Sequence, residues 1–245
     1  MYHSSSKGSV VMCGRLNAIF DSEVRGLYTS LQINKIIDRP IDSRFQSAAK
    51  EVSIVRNIGQ QRRVENATWW LLLDQTNTGF KPSKFTSFNT RYNKLNTPNS
   101  AGFKAFKNFR CILAVKGFGE TEFVNKKPVH YYDMQAEKGG LLLGGLYKEW
   151  RHNITGETKL SCSVITLPPH SKLKHIHSKA MPLILPQDHN LINAWLDPEF
   201  NDTSQFEPLL SPHIPTNLIA HQIDKPARFN AFGSPQLIIK DENLF

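Results

Sequence analysis

The sequence has few cysteines, and they show no pairing pattern. Three cysteines occur in 245 residues, and none belongs to a Cys-x-x-Cys pair. So sparse and odd a count argues against the disulfide framework of a small secreted domain and indicates a reducing compartment, so we expect a cytoplasmic protein. A zinc site is also disfavoured, because the available ligands lack paired spacing, and we expect no metal and no cofactor. Those ligands are Cys111, Cys162, His175 and His177.

Long apolar runs are absent as well. No stretch approaches the roughly 18 consecutive apolar residues that a membrane span needs, so we expect no membrane association. Residues 1–11 are rich in serine and lack the apolar core of a secretory signal. We interpret them as a flexible leader, which is a tag, a pro-segment or an upstream start before Met12.

Acidic residues are in the minority. The chain has 21 Asp and Glu against 30 Lys and Arg, which gives a formal net charge of +9. This excess favours a polyanionic partner such as nucleic acid. Because 40% of the residues are hydrophobic, the composition is that of a globular protein. No repeat or linker interrupts residues 12–245, so we expect one domain and a monomer.

Closely spaced strands with small turns dominate the pattern, which predicts antiparallel sheets rather than alternating βαβ units. A helix is predicted after Asp21, because apolar residues recur at positions 24, 27, 28 and 31. The segment Asp74–Pro98 is predicted to be a long loop, and Gly117-Phe118-Gly119 a turn. Further helices are predicted over Ser100–Phe109, after Asp188 and near Gln205–Leu210. The predicted strands are Glu51–Arg56, Thr68–Leu73, Arg110–Val115, Glu122–Val124, Val129–Met134, Leu141–Tyr147, Ser161–Thr166, Met181–Leu185, Ala220–Ile223 and Gln236–Ile239.

The tetrapeptide Met12-Cys13-Gly14-Arg15 places a cysteine beside a methionine. If Cys13 becomes N-terminal, its α-amine and its thiol can together capture an aldehyde. The amine forms a Schiff base, and the thiol then closes a thiazolidine ring. An internal cysteine cannot do this, because its nitrogen is part of a peptide bond. The alternative is that Cys13 is an ordinary buried thiol.

Four motifs occur in the order and spacing of one known family. They are Met12-Cys13-Gly14-Arg15, Asn89-Thr90-Arg91, Gly117-Phe118-Gly119-Glu120 and Ile176-His177-Ser178-Lys179-Ala180-Met181-Pro182. In these motifs the chain resembles the SOS-response-associated peptidase family, the SRAP domain, over essentially Met12 to Lys240. It departs from the family pattern where Thr121 replaces a tryptophan after Glu120, and where one extra residue precedes Met181.

The resemblance implies a fold and an activity. The fold would be α+β, a single domain whose antiparallel sheets curl into a barrel-like core with flanking short helices. The activity would be covalent capture of abasic sites in single-stranded DNA through Cys13, near the nucleoid if the cell is bacterial. In this reaction His177 would assist opening of the sugar, and Glu120 would shuttle protons to and from the amine. Asn89 would orient the cysteine or the sugar.

The resemblance also implies an interface with DNA. Arg15 and Arg91 would hold phosphates, and Trp69 or Trp70 is a candidate platform for stacking a base. The basic loop that contains His177 would add salt-dependent affinity through its lysines. These are Lys172, Lys174 and Lys179.

Crosslinking requires a free α-amine on Cys13. The family name implies self-cleavage before the cysteine, a step in which Cys13 would also be the nucleophile. Translation from Met12 followed by aminopeptidase trimming would give the same product, and we favour this second route.

Two other functions fit parts of the pattern. A papain-like thiol hydrolase would use Cys13, His177 and Asn89, although the papain-type signature around the cysteine is absent. A non-catalytic module for binding single-stranded DNA would use only the basic charge and the aromatic residues. A requirement for the free α-amine distinguishes crosslinking from thiol hydrolysis, and a covalent product distinguishes it from binding alone.

Overall fold

A computed structural model describes residues 14–125, 127–228 and 230–242. These residues form sixteen strands, three α-helices and three short 3-10 helices. The α-helices are α1 (Ser22–Ser30), α2 (Phe103–Asn108) and α3 (His189–Leu196), and the 3-10 helices span Tyr92–Lys94, Ser171–Leu173 and Thr203–Leu210. The strands are β1 (Arg15–Ala18), β2 (Lys35–Ile36), β3 (Ser43–Ser47), β4 (Glu51–Ile58), β5 (Gln61–Thr68), β6 (Leu73–Gln75), β7 (Phe80–Pro82), β8 (Asn89–Arg91), β9 (Arg110–Val115), β10 (Gly117–Val124), β11 (Lys127–Ala136), β12 (Leu141–Arg151), β13 (Thr158–Leu167), β14 (Met181–Pro182), β15 (Leu218–Ile223) and β16 (Gln236–Ile238).

Five strands close into a barrel. The order β13-β12-β9-β4-β5 returns to its start because Ser161 of β13 pairs with Thr68 of β5. Apolar side chains such as Ile54, Leu113 and Val164 are fully buried along these strands and belong to the core. The predicted α+β fold with a barrel-like core is confirmed.

A second, six-stranded sheet holds β1 between two neighbours. Its order is β16-β15-β11-β10-β1-β3, and β1 is antiparallel to both β10 and β3. The fully buried Asp133 of β11 stabilises this arrangement, because Asn17 of β1 and Arg44 of β3 both donate hydrogen bonds to its carboxylate. A buried carboxylate needs such partners. Strand β1, which follows position 13 in the sequence, is therefore fixed beside β10.

The helices form where a polar cap precedes an apolar face. The Asp21 carboxylate accepts hydrogen bonds from the backbone amides of Glu23 and Val24 and begins α1. Asp188 begins α3 by accepting from the amide of Leu191. Capping of this kind stabilises a helix by about 1 kcal/mol. Both helices were predicted, and both are confirmed. None of the described helices combines the length and the apolar character that crossing a membrane requires.

Three local predictions are wrong. Gly117-Phe118-Gly119 belongs to β10 rather than to a turn, and a side chain at Gly117 would lie 2.1 Å from the Met134 carbonyl oxygen. The sequence predicts a strand over Thr68–Leu73, but β5 ends at Thr68 and the next strand, β6, begins only at Leu73. The predicted loop over 74–98 contains the hairpin of β6 and β7, and also β8, which pairs with β13.

Candidate active site

A buried histidine and a buried glutamate meet beside β10. Strand β10 carries Glu120, and the loop after the 3-10 helix Ser171–Leu173 carries His177. The Nδ1 atom of His177 lies 3.3 Å from Glu120 Oε2 and 3.1 Å from the Thr121 carbonyl oxygen. Only 5% of His177 and 4% of Glu120 are exposed. The structure thus brings together two residues that sequence motifs had indicated separately.

These contacts fix the tautomer of His177. A carbonyl oxygen can only accept a hydrogen bond, so we assign the proton to Nδ1, which donates it toward Thr121 and Glu120. The neutral ring then carries its lone pair on Nε2. This atom is buried and has no hydrogen-bond partner within the described ranges. Nε2 is therefore the atom of His177 that can exchange a proton with a substrate.

Arg15 supports the backbone at Glu120. Its Nη2 donates to the Glu120 carbonyl oxygen at 3.0 Å and to the Thr121 hydroxyl at 2.8 Å. Its guanidinium carbon lies 5.5 Å from the centre of the Phe45 ring, within cation–π range. A side chain at Gly119 would lie 2.9 Å from Arg15 Nε and 3.0 Å from the Phe45 ring, so these two side chains would have to shift to admit one. Arg15 holds β10 in place, and its predicted contact with phosphate stays a prediction.

The histidine and glutamate line a small pocket of about 230 Å³. Gly14 lines the same pocket, so the described chain begins at its wall. Cys13 precedes Gly14 in the sequence and lies outside the described residues, as does the predicted leader 1–11. The full lining is Gly14, Arg15, Gly119, Glu120, Thr121, Phe123, Pro128, Tyr131 and His177.

Asn89 and Arg91 lie on β8, which pairs with β13 in parallel. Thr90 between them is buried, and its hydroxyl is 2.7 Å from that of Ser163. Because side chains alternate along a strand, Asn89 and Arg91 share the other face. Arg91 and Lys179 line a second pocket of about 520 Å³. Among the described residues, Asn89 lines neither pocket.

The two tryptophans differ in accessibility. Trp69 is 0% exposed, and its Nε1 donates to the Phe88 carbonyl oxygen at 2.8 Å. A ring without an exposed face cannot stack on a base, so the prediction is wrong for Trp69. Trp70 is half-buried and packs against the Phe88 ring at 5.6 Å between centroids. Its stacking role stays a prediction.

Phe123 is an aromatic residue of the pocket that the sequence prediction missed. It is 37% exposed, lines the pocket with Glu120 and His177, and has Lys179 Nζ 5.1 Å from its ring centre. Gly119, Thr121 and Phe123 share one face of β10, since side chains alternate along a strand. Glu120 alternates to the other face, so strand periodicity alone does not place Phe123 beside it, and only the folded structure shows that both line the pocket.

Lys172 is held by the segment that contains β16. Its Nζ donates to the carbonyl oxygens of Ile239 and Lys240 at 2.9 and 3.2 Å, and lies 2.7 Å from Asp241 Oδ1. These partners occupy the ammonium group, so the predicted contact of Lys172 with DNA would require their release. Lys174 and Lys179 are exposed, and their contacts with DNA stay predictions.

Asp241 should make stability depend on pH. Partial burial raises the pKa of its carboxyl, but hydrogen bonds from Lys172 and the Ile214 amide, with the charge of Lys172, outweigh this and lower the pKa below its usual value. A depressed carboxyl pKa stabilises the folded state above the unfolded value of about 3.9, and this contribution is lost as the pH falls through the folded value. We expect Asp241→Asn to lower the urea midpoint of unfolding at pH 7, and the difference from wild type to shrink below about pH 4. A constant difference between pH 7 and pH 3 would contradict this.

The two described cysteines belong to the core. Cys111 and Cys162 are fully buried, and burial raises the pKa of each thiol above its usual value, which makes both thiols unreactive. Within the ranges described, no three or more His, Cys, Asp and Glu side chains form a group that could hold a metal ion.

Comparisons with known proteins agree with the fold and with the motifs. The model of the family described as SOS response associated peptidase (SRAP) matches residues 12–227. The chain is 27% identical over 130 residues to the abasic site processing protein YobE of Bacillus subtilis (strain 168), a match that covers 53% of this chain and 55% of YobE. The chain thus spans about half the length of this curated relative.

Three of the solved structures with the same fold come from Bordetella bronchiseptica and Bacteroides thetaiotaomicron. A protein of Bordetella bronchiseptica has a TM-score of 0.66 and 19% identity, with 87% of this chain and 100% of that chain covered. A protein of Bacteroides thetaiotaomicron has a TM-score of 0.61 and 19% identity, covering 87% and 90%. A phage-related protein of Bordetella bronchiseptica has a TM-score of 0.62 and 16% identity, covering 87% and 95%. At these identities the likeness shows the fold alone.

Proposed function

Because the chain belongs to the SOS response associated peptidase (SRAP) family, we propose that it captures abasic sites in single-stranded DNA as a covalent adduct of Cys13. The observation that carries this proposal is the buried His177–Glu120 pair in a pocket that Gly14, the residue after Cys13, also lines. The name of the relative YobE, abasic site processing protein, supports the same substrate.

The chemistry needs an aldehyde and a free α-amine. The ring-opened abasic sugar presents an aldehyde at C1′, and the α-amine of Cys13 adds to this carbon to give a carbinolamine. Loss of water gives the Schiff base. The thiol sulfur then adds to the imine carbon, and the nitrogen takes up a proton to complete the thiazolidine. No oxidant or reductant is required.

The described side chains supply the proton transfers. Opening of the sugar requires a proton to leave the C1′ hydroxyl and a proton to reach the ring oxygen, and Nε2 of His177 exchanges one of them. The Glu120 carboxylate, 3.3 Å from Nδ1, helps to orient the ring and carries protons to and from the amine. Arg91 and Lys179, at the second pocket, attract the phosphates that flank the lesion. Asn89 orients the cysteine or the sugar.

The arrangement favours crosslinking over a papain-like thiol hydrolase. Such a hydrolase would need Asn89 to orient the ring of His177. Here the oriented atom, Nδ1, faces Thr121 and Glu120 instead. A hydrolase would also act with its amine blocked, so acetylation of the α-amine separates the two functions.

Intact mass spectrometry tests the proposal directly. The purified protein is measured before and after incubation with single-stranded DNA that contains one abasic site. We expect a mass that begins at Cys13 and a heat-stable adduct equal to protein plus DNA minus one water. A protein that begins at Cys13 and gives no adduct would overturn the proposal.

The same measurement addresses removal of residues 1–11 and Met12. We propose that translation from Met12 and aminopeptidase trimming expose the amine, with self-cleavage before Cys13 as the other route. A chain expressed from Met12 should react at once. The full chain should react only if it cleaves itself, and Cys13→Ala in the full chain should then leave the leader attached.

Phe123 is expected to stack on a base next to the lesion. Phe123→Ala should weaken binding to single-stranded DNA by about 1–3 kcal/mol, the usual contribution of one stacked base. Fluorescence anisotropy with an undamaged oligonucleotide measures this loss without crosslinking.

Phe85→Ala is the matched control for Phe123→Ala. Phe85 is 63% exposed and has Lys84 Nζ 5.3 Å from its ring centre, so it forms a similar lysine–phenylalanine pair that lines neither pocket. We expect its removal to leave the affinity unchanged. Equal losses in both variants would show a general effect of surface aromatics and would remove the role of Phe123.

A further inference from the structure

We propose that Asp241 is a positioning residue, which holds His177 in place by clamping the loop 170–177 to the segment 236–241. This inference rests on the proposed function, because it assigns His177 the proton transfer. The family match ends at residue 227, so the clamping segment lies outside the part of the chain that the family model matches.

Asp241 gathers three donors from two parts of the chain. Its Oδ1 lies 2.7 Å from Lys172 Nζ, and its Oδ2 lies 3.1 Å from His170 Nε2 and 2.8 Å from the Ile214 amide nitrogen. The Asp241 amide in turn donates to the Ile214 carbonyl oxygen. The carboxylate is therefore fixed in direction, and only 20% of the side chain is exposed. Several charge-assisted hydrogen bonds to one carboxylate hold it more strongly than a single exposed ion pair does.

His170 is in the tautomer that can donate a hydrogen bond from Nε2 to the Asp241 carboxylate. Its Nδ1 accepts the Lys172 amide at 3.2 Å, which caps the 3-10 helix Ser171–Leu173. The proton of the neutral ring is therefore on Nε2, directed at the carboxylate. One histidine thus connects Asp241 to the first turn of the loop.

The 3-10 helix transmits this position to His177. The Leu173 carbonyl oxygen accepts the amides of Ile176 and His177 at 2.9 and 2.8 Å. A short path therefore runs from the Asp241 carboxylate through His170 and Leu173 to the backbone of the buried histidine. A second link joins His175 Nε2 to Gln236 Oε1 at 2.9 Å.

The clamp also ties His177 to the sheet that carries Glu120. Strand β16 pairs with β15, β15 pairs with β11, and β11 pairs with β10. The loop of His177 is thus fastened to the far edge of the same sheet in which Glu120 lies. Because a displacement of about 1 Å can reduce a reaction rate 10²-fold, this fastening has a direct effect on the proton transfer.

The test separates rate from affinity. Asp241→Asn and Lys172→Met are compared with wild type in single-turnover adduct formation at saturating abasic DNA, and in binding of undamaged single-stranded DNA. We expect both variants to form the adduct about 10- to 100-fold more slowly with unchanged affinity. Asp241→Glu should recover part of the rate. Lys225→Met, at an exposed lysine outside the clamp and the pockets, should change neither quantity.

Other results would overturn the clamp. An unchanged rate in both variants removes it, and a weaker affinity with an unchanged rate for Lys172→Met makes Lys172 a DNA contact instead. Urea midpoints establish that each variant is folded in the assay. If Asp241→Asn does not fold, the rates of adduct formation by Lys172→Met and Gln236→Ala test the clamp in its place.

A second readout keeps the clamp distinct from the proposed function. Hydrogen exchange of the His177 amide, which donates to Leu173, should be faster in Asp241→Asn than in wild type. If wild-type protein forms no adduct but exchange still accelerates, the proposed function fails and the mechanical clamp remains. If exchange is also unchanged, both fail.

Discussion

Replacing Cys13 with alanine is expected to abolish the heat-stable adduct with abasic DNA while leaving noncovalent binding to single-stranded DNA intact. An N-terminal alanine keeps its α-amine, so it can still form a Schiff base, but it has no thiol to close the thiazolidine. A Schiff base hydrolyses readily. The Ala variant should therefore give an adduct only when borohydride reduces the imine, whereas wild-type protein should give one without it.

A chain with one glycine added before Cys13 is the matched control. It keeps the thiol but moves the amine away, so no five-membered ring can form. We expect this chain to resemble the Ala variant, with a trapped adduct under borohydride and none without. A heat-stable adduct formed by either chain without borohydride, measured by denaturing gel after heating, would show that the linkage does not need the amine and thiol of one residue.

Replacing His177 with alanine should slow adduct formation by about 10²- to 10⁴-fold, the usual contribution of a general acid or base. Nε2 of His177 is the buried nitrogen that we assign to proton exchange with the substrate. Glu120→Gln removes the charge beside Nδ1 and should slow the reaction as well, at nearly constant volume. Single-turnover rates with saturating abasic DNA measure both effects.

His152→Ala controls for the loss of a buried histidine. His152 is 1% exposed, its Nε2 lies 2.8 Å from the Thr76 carbonyl oxygen, and its Nδ1 accepts backbone amides. Removing it should lower the urea midpoint without changing the rate of the folded protein. If both His177→Ala and Glu120→Gln react at the wild-type rate, the proton-transfer roles assigned to these residues are wrong.

Local patterns predicted the parts of the fold that local interactions determine. The cap at Asp21 and the apolar spacing after it predicted α1 because cap and helix face lie within one short segment. The barrel closes through the pairing of Ser161 with Thr68, which are far apart in sequence. No local pattern encodes such a contact, and the barrel was expected only from the family resemblance. Gly117 was interpreted as a turn residue, but it is glycine because β11 approaches it closely.

The sequence indicated which residues belong to the candidate site, but it did not indicate which atoms those residues contact. Motif order indicated Glu120 and His177, but the assignment of Nδ1 as the donor depends on the Thr121 carbonyl oxygen across the fold. Lys172 was predicted to bind DNA because it lies in a basic loop. Its partner Asp241 is 69 residues away, and no sequence pattern joins them. Burial of Trp69 likewise follows from the packed core rather than from its neighbours in sequence.

The position of β1 has a mechanical consequence. Strand β1 is hydrogen-bonded to β10 on one side and to β3 on the other, and Asn17 anchors it to the buried Asp133. A DNA strand joined to position 13 would transmit any pull straight into this strand. Tension along β1 acts on both ladders at once, in shear, so the bonds cannot be peeled apart one at a time. A pull on the linked DNA would thus load a strand that is paired on both sides.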